Sequence, residues 1–423
     1  MPKEKVLICG AGVAGSVLAY WLARSGFDIT VIERSRSEQK QGQGIEIETI
    51  AVDVVKAMSI FPELNSRKTG ELGFKLVNDK SQPWAVFDVS AGASPTGELE
   101  MMRGELTDIL YKAADAFPNV TYHFETTIES LTQTADKVVV ETRRRSDKQL
   151  QTAEYDLVIG ADGFKSRTRT LAMGSPEQLQ CYKPVGSMVA YFSIPKEDRD
   201  WPYSTLCHFP GRRIAWLRPT AKDAKDTSVY LIHCKTDSDW QRANASGDRQ
   251  KQKLAIKEVY KGLGWECPRF IEYMMTAENF YSEELTQVKL KSWSKGRVAL
   301  VGDSAWAPTP FTGQGNQLAI IGAFVLAQEM TRNGGLAGFQ SFEKRFRKYV
   351  EDCQSIPLNG YAPYLLNPET TAGIAVVRTF LWGVSLVARL VAWSNVGKFF
   401  PEGKPRDYFD LDMENGKDGK KDL

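Results

Sequence analysis

The sequence predicts an α/β protein. It should have a parallel-sheet lobe that is discontinuous in the chain, a second α+β lobe built on a mostly antiparallel sheet, and helices at the C-terminal end. Three observations carry this. A βαβ unit opens the chain, and its buried-strand pattern returns near residues 155–160 and again at 296–301. Between the last two, from about 181 to 290, apolar residues alternate and are rich in β-branched and aromatic types.

Val6–Cys9 is a continuous apolar run ending at Gly10, as expected of a strand covered on both faces. Val13, Leu18, Leu22 and Ala23 then recur at helical spacing until Ser25-Gly26, and Asp28–Ile32 forms the second strand, closed by Glu33-Arg34. Residues 35–48 are polar and Gly-rich and read as a loop. A helix over 49–58, a strand at Leu99–Met102 and a helix over Gly104–Ala116 follow. Within 120–155, VTYHFE, TTIESLT and KVVVETRR read as a small antiparallel sheet. The second lobe is GSMVAYFSI, TLCHFPGRRIAWLRP and TSVYLIHC, with helices near 248–262 and 268–276. GRVALV then leads through a Gly-rich turn to an apolar helix from about 315 to 331. The expected division is therefore 1–75, 99–180 and 286–345 for the first lobe, 76–98 and 181–285 for the second, and 346–423 for a helical C-terminal region with a polar, disordered tail. Arg378 and Arg389 interrupt the apolar segment 373–400, so it reads as an amphipathic helix packed on the body, with attachment to a membrane surface as the alternative.

Composition narrows the classes. A chain of 423 residues is too long for one compact core, and 54 Lys+Arg against 52 Asp+Glu leaves no electrostatic footprint for nucleic acid. Six cysteines without a CxxC pair suggest reduced thiols in a cytoplasmic setting, and three histidines speak against a His-rich metal site. The first strand begins so early that no signal peptide is expected before it.

Three constellations carry chemistry. In Gly10-Ala11-Gly12-Val13-Ala14-Gly15, Gly10 permits the tight turn, Gly12 lets backbone approach a pyrophosphate and Gly15 lets helix pack on strand; Glu33 can accept adenosine ribose hydroxyls. Set between a strand and a helix, this is a Rossmann-like dinucleotide site, for FAD or NAD alike. The second, Gly160 to Arg169, follows a buried strand; Asp162-Gly163 reads equally as a ligand turn and as a strand-ending turn before a solvated basic stretch. The third runs from Gly302-Asp303 through Pro308 and Pro310 to Gly313-Gln314-Gly315. A carboxylate there can bind a flavin's ribityl hydroxyl, and the helix start at Gly315 can face the ring's pyrimidine edge with free N–H groups.

Together these motifs resemble, over residues 4–345 and in order and spacing, the single-component aromatic hydroxylases, the class A flavin monooxygenases of the p-hydroxybenzoate hydroxylase fold. The resemblance implies non-covalent FAD. Its ADP half would lie on Gly10, Gly12, Val13, Ala14, Gly15, Glu33 and Arg34. Asp162 and Gly163, with Ser166 and Arg169, would serve FAD and NAD(P)H. Gly302 and Asp303 would take the ribityl chain, while Pro310, Gly313, Gln314, Gly315, Asn316 and Gln317 would meet the ring. Arg103, in Met102–Leu106, matches an arginine that reaches FAD, and Gly44 and Ile45, in the loop 42–45, match a loop covering the ring. Asn316–Ala323 departs from the commonest family pattern and reads like a subgroup of secondary-metabolism enzymes, which leaves the contacts of Asn316 and Gln317 open.

The implied reaction is reduction of FAD by transiently bound NAD(P)H, addition of O2, and transfer of one oxygen from a flavin hydroperoxide to an electron-rich, aromatic or polycyclic small molecule. No side chain is assigned a catalytic role. Tyr191, Phe192, Cys207, Phe209 and Trp216 are expected as pocket walls opposite Pro310 and Phe311, although alternation makes about half of them core. His208 and His233 read as structural hydrogen-bonding groups. The competing readings are a flavin reductase without oxygen insertion, a halogenase (whose Trp-x-Trp-x-Ile-Pro segment does not occur here) and a membrane-recruited flavoprotein. The chain is expected to be a monomer or homodimer.

Overall fold

The computed structural model describes residues 4–36, 43–89, 99–236 and 238–394. Three separate stretches of chain build the central sheet. Its six strands lie in the order Ser294–Lys295, Val298–Leu300, Leu157–Gly160, Lys5–Cys9, Asp28–Ile32 and Val120–His123. All neighbours are parallel except the first pair. Val6–Cys9 and Leu157–Gly160 are wholly buried because helices cover one face and a small sheet the other. The helix Val13–Arg24 packs on the helix Gly315–Asn333, and this in turn packs on Gly335–Gln354. Gly315–Asn333 is buried nearly all round, as a helix apolar on every side must be.

The sequence reading misplaced one strand here. Residues Val120–His123 are not part of the small antiparallel sheet; they pair with Asp28–Ile32, Val31 opposite Tyr122, and finish the parallel sheet. The small sheet takes Thr126–Gln133, Val138–Arg144 and Leu150–Tyr155. The last of these is almost entirely exposed, so it carries no apolar alternation to read.

The second lobe is a seven-stranded sheet in the order Tyr281–Val288, Tyr182–Pro195, Asp226–His233, Arg213–Arg218, Tyr203–Phe209, Gly73–Val77 and Pro83–Asp88. Only Tyr203–Phe209 with Gly73–Val77 is a parallel pair. One face packs on helices Asp239–Ala245, Arg249–Tyr260 and Cys267–Thr276, through Trp240, Ile256, Tyr260 and Phe270. The other face is aromatic. Gly44–Glu46 and Glu100–Met102 form a two-stranded ribbon beside it.

Two C-terminal features differ from expectation. The helix Gly335–Gln354 runs unbroken across position 345, its Phe339, Phe342, Phe346 and Tyr349 forming one buried stripe. The final helix, Thr371–Ser394, packs only a narrow stripe on the body: Leu381 joins the aromatic face, Ser385 is buried and Arg378 lies 5.6 Å over the Trp84 ring. Much of the rest of it is exposed. No helix among the described residues is long and apolar enough to cross a membrane. Residues 395–423 lie outside the described residues.

Candidate active site

The first glycine turn shows three different reasons for glycine. Gly10 has φ +111°, and a Cβ on it would sit 2.4 Å from the Ala161 carbonyl oxygen. On Gly15 it would sit 1.9 Å from the Gly10 oxygen, so both are needed for backbone to meet backbone. At Gly12 a Cβ would meet nothing within 4 Å: this glycine borders open space. Gly12 also starts the helix Val13–Arg24 without a side-chain cap and with no acid in the first turn. Ser16 N–H closes onto the Gly12 oxygen at 2.9 Å, which leaves the N–H groups of Val13, Ala14 and Gly15 without acceptors among the described residues. Glu33 holds the turn's rim, accepting from Ala11 N at 3.0 Å and Ser35 N at 2.9 Å; Arg34 is exposed beside it.

Asp162 is a brace. Its two oxygens accept from Ser166 Oγ at 2.5 Å and from Thr168 N and Oγ1 at 2.9 and 3.0 Å, which caps the helix Arg167–Met173. Gly163, at φ +79°, opens to empty space. The idea of a solvated basic stretch fails at Arg169, which is fully buried. Its guanidinium donates to the Ser304 carbonyl, the Phe164 carbonyl and Tyr182 Oη, each at 2.8 Å, and so fastens the second motif to the third.

In the third motif Gly302 adopts φ +69° where a Cβ would lie 2.9 Å from Ala14 Cβ, so the first and third motifs abut. Burial pushes the Asp303 carboxyl up, and the Arg103 charge draws it back. The turn that follows contains Thr309 at φ +84°, a left-handed conformation rare for a β-branched residue, held by its hydroxyl accepting from Phe311 N. Two buried glutamines grip this turn from behind. Gln287 Nε2 donates to the Pro308 oxygen at 2.9 Å, and Gln354 Nε2 to the Trp306 oxygen at 3.1 Å. Gly313 is left-handed and open, and the helix from Gly315 has no side-chain cap. Leu318 N is the first to bond back, to the Gln314 oxygen, leaving Gly315, Asn316 and Gln317 N–H free among the described residues. Gln317 is buried and its Oε1 has no partner among the described residues.

The ribbon carrying Gly44 and Ile45 is pinned to the second lobe. Gly44 N donates to Tyr230 Oη at 3.1 Å, and the Arg218 guanidinium pairs with the buried Glu100 across the ribbon. Gly42 lies outside the described residues. Arg103 N donates to the Gln43 oxygen, and the exposed Arg103 side chain lowers the carboxyls of both Asp303 and Glu283.

Across from the turn, Tyr191, Tyr230 and Trp216 share one face of the seven-stranded sheet with Phe311. Tyr191 and Trp216 both meet the Tyr230 ring edge-on, at 4.8 and 5.5 Å. Phe192, Cys207 and Phe209 are corrections: strand alternation turns all three to the opposite face, where they pack on the helices. Pro310 is exposed at the turn. Sequence reasoning missed Tyr230, Arg218, Tyr281 and Glu283. Burial raises the Glu283 carboxyl, to which Tyr281 donates at 2.8 Å. Burial also pushes His208 and His233 down to about 4; His208 bonds Asn367, and His233 stacks on Trp240.

The FAD binding domain family matches residues 3–335. Over 413 residues, 95% of each chain, this chain is 34% identical to monooxygenase CTB7 of Cercospora beticola. The chain belongs to the FAD-dependent monooxygenases. Flavin-dependent monooxygenase eupH of a Phoma species is 30% identical to this monooxygenase over 431 residues, 96% of each chain. Among solved structures, tetracycline destructase Tet(55) matches with a TM-score of 0.75 and 29% identity, covering 92% of this monooxygenase and 98% of that chain. CtdE, solved with FAD and a substrate, matches at TM-score 0.67 and 18% identity, covering 93% and 100%, a likeness of fold. The enzyme is thus an FAD-dependent monooxygenase with the p-hydroxybenzoate hydroxylase type of fold.

Proposed function

We propose that this enzyme draws electrons from NAD(P)H and inserts one atom of O2 into an electron-rich aromatic or polycyclic small molecule, held between the aromatic face of the second lobe and the Pro310–Phe311 turn. The carrying observation is that Tyr191, Trp216 and Tyr230 form one apolar wall with Phe311, the turn that leads into the uncapped helix at Gly315.

The residues fit FAD. The space over Gly12 and the free N–H groups of Val13–Gly15 suit a pyrophosphate, with Glu33 and Arg34 at the rim. Asp303 suits a ribityl hydroxyl. The N–H groups of Gly315–Gln317 and the orphaned Gln317 Oε1 suit the polar edge of the ring. Bound FAD supplies the electron transfer from reductant to O2. The chain supplies the rest. The uncapped N-terminus of the Gly315 helix would turn its partial positive charge toward the polar edge of a bound flavin and so favour electron uptake by it. Arg169 keeps the second and third motifs in register. The aromatic wall excludes water and orients the substrate ring. Asp162 acts through Ser166 and Thr168 as a positioning group. The six free thiols suit a reducing, cytoplasmic setting.

The test is turnover under isotopically labelled O2 with NADH or NADPH and a panel of phenols and polycyclic aromatics. One labelled oxygen in the product, with reductant oxidation accelerated by the substrate, is the expected result. Product without label overturns the proposal.

A further inference from the structure

The aromatic face is backed by the final helix, whose outer surface is not that of a water-facing element. Ten of the seventeen large apolar side chains exposed among the described residues lie between Leu358 and Val387. On the helix itself Val376 is 70% exposed, Phe380 65%, Val387 59% and Trp382 50%. Val376, Phe380 and Val387 recur at helical spacing and lie on the side away from Leu381 and Ser385, the stripe that packs on the body. Scattered single exposures need no explanation, whereas an apolar arc of this extent marks an interaction surface.

Charge and residue type select the occupant. In a chain of nearly balanced charge, residues 371–400 contain Arg378, Arg389 and Lys398 and no acid. Between 372 and 387 the exposed polar side chains are Arg378 and Thr379. A protein partner would call for a hydrogen-bonding rim around the apolar centre, which this arc lacks. Phenylalanine, tryptophan and arginine without acids is the composition of a helix lying in the headgroup layer of an anionic bilayer. Since the helix is not long and apolar enough to cross, it lies along the surface.

We propose that the helix Thr371–Ser394 docks this enzyme on anionic lipid bilayers, with Val376, Phe380 and Val387 inserted below the headgroups. The opposite side of the same helix carries Leu381, which shares a cluster with Phe311, so the docked helix is also the one that backs the aromatic wall.

The experiment is flotation of the full-length, FAD-loaded protein with vesicles of phosphatidylcholine, alone or mixed with phosphatidylserine. The wild type should float with the mixed vesicles, less with phosphatidylcholine alone, and should stay bound when salt is raised after binding. The double variant F380S/V387S, which alters exposed side chains only, should keep its flavin and lose about tenfold or more in vesicle partitioning. A wild type that stays with the soluble fraction in both mixtures overturns the proposal. So does a double variant that floats as well as the wild type, or a wild-type dimer in light scattering that the variant dissolves while neither binds vesicles.

Discussion

Gly12 and Gly15 sit in one turn, yet replacing them has different consequences. Gly15→Ala drives a Cβ to 1.9 Å from the Gly10 oxygen, so the apoprotein itself should lose stability, by about 1–3 kcal/mol or more, read as a lower melting temperature. Gly12→Ala meets no protein atom within 4 Å, so the melting temperature without FAD should hold while FAD titration shows weakened binding. His233 gives a pH prediction. Its folded pKa is depressed to about 4 by burial, so the unfolded chain takes up a proton first, and stability is lost as pH falls from the ordinary histidine value of about 6.5 toward 4. Melting curves should show a shallower loss for His233→Gln than for wild type over the upper half of that window. The glycine turn was legible in the sequence because absence of a side chain is itself the signal. Tyr230 and Arg218 were not, because their roles depend on which strands pair, and pairing is long-range information that a single strand's alternation does not hold. Alternation alone likewise could not show that Cys207 and Phe209 face the helices while Trp216 faces the turn.

At the scale of elements, the helices Gly315–Asn333 and Gly335–Gln354 cross so closely that a Cβ on Gly338 would come within 2.6 Å of Met330 N and Cα. Alanine is ordinarily the better helix residue by about 1 kcal/mol. Here the contact is with backbone, which cannot swing aside, so Gly338→Ala should lower thermal stability despite the gain in propensity. The central strands and these helices were readable because burial on every side leaves continuous apolar runs. The strands Gly73–Val77 and Pro83–Asp88 carry no comparable signal: they are the last two of the second sheet, with Pro83–Asp88 at its edge, and alternate over too few residues.

For the molecule as a whole, Arg218 and Glu100 link the second lobe to the ribbon bearing Gly44, both side chains buried. Arg218→Met strands the Glu100 carboxylate and should cost about 3–5 kcal/mol, whereas the double variant Arg218→Met, Glu100→Met should recover part of that loss. Urea unfolding of the three proteins measures this. The discontinuity of the cofactor lobe was legible from the recurrence of buried-strand patterns, since each recurring strand had to find neighbours in one sheet.

That discontinuity also sets a timetable. Gly302 abuts Ala14, and Arg169 reaches the carbonyl of Ser304, so the cradle joins residues that leave the ribosome far apart in time. A nascent chain ending before the Gly315 helix has the glycine turn but no far wall, and its half-built sheet must wait with strand edges bare. Acquisition of the cofactor should therefore come late in synthesis, and chaperone dependence should fall sharply once the chain has passed Gln354.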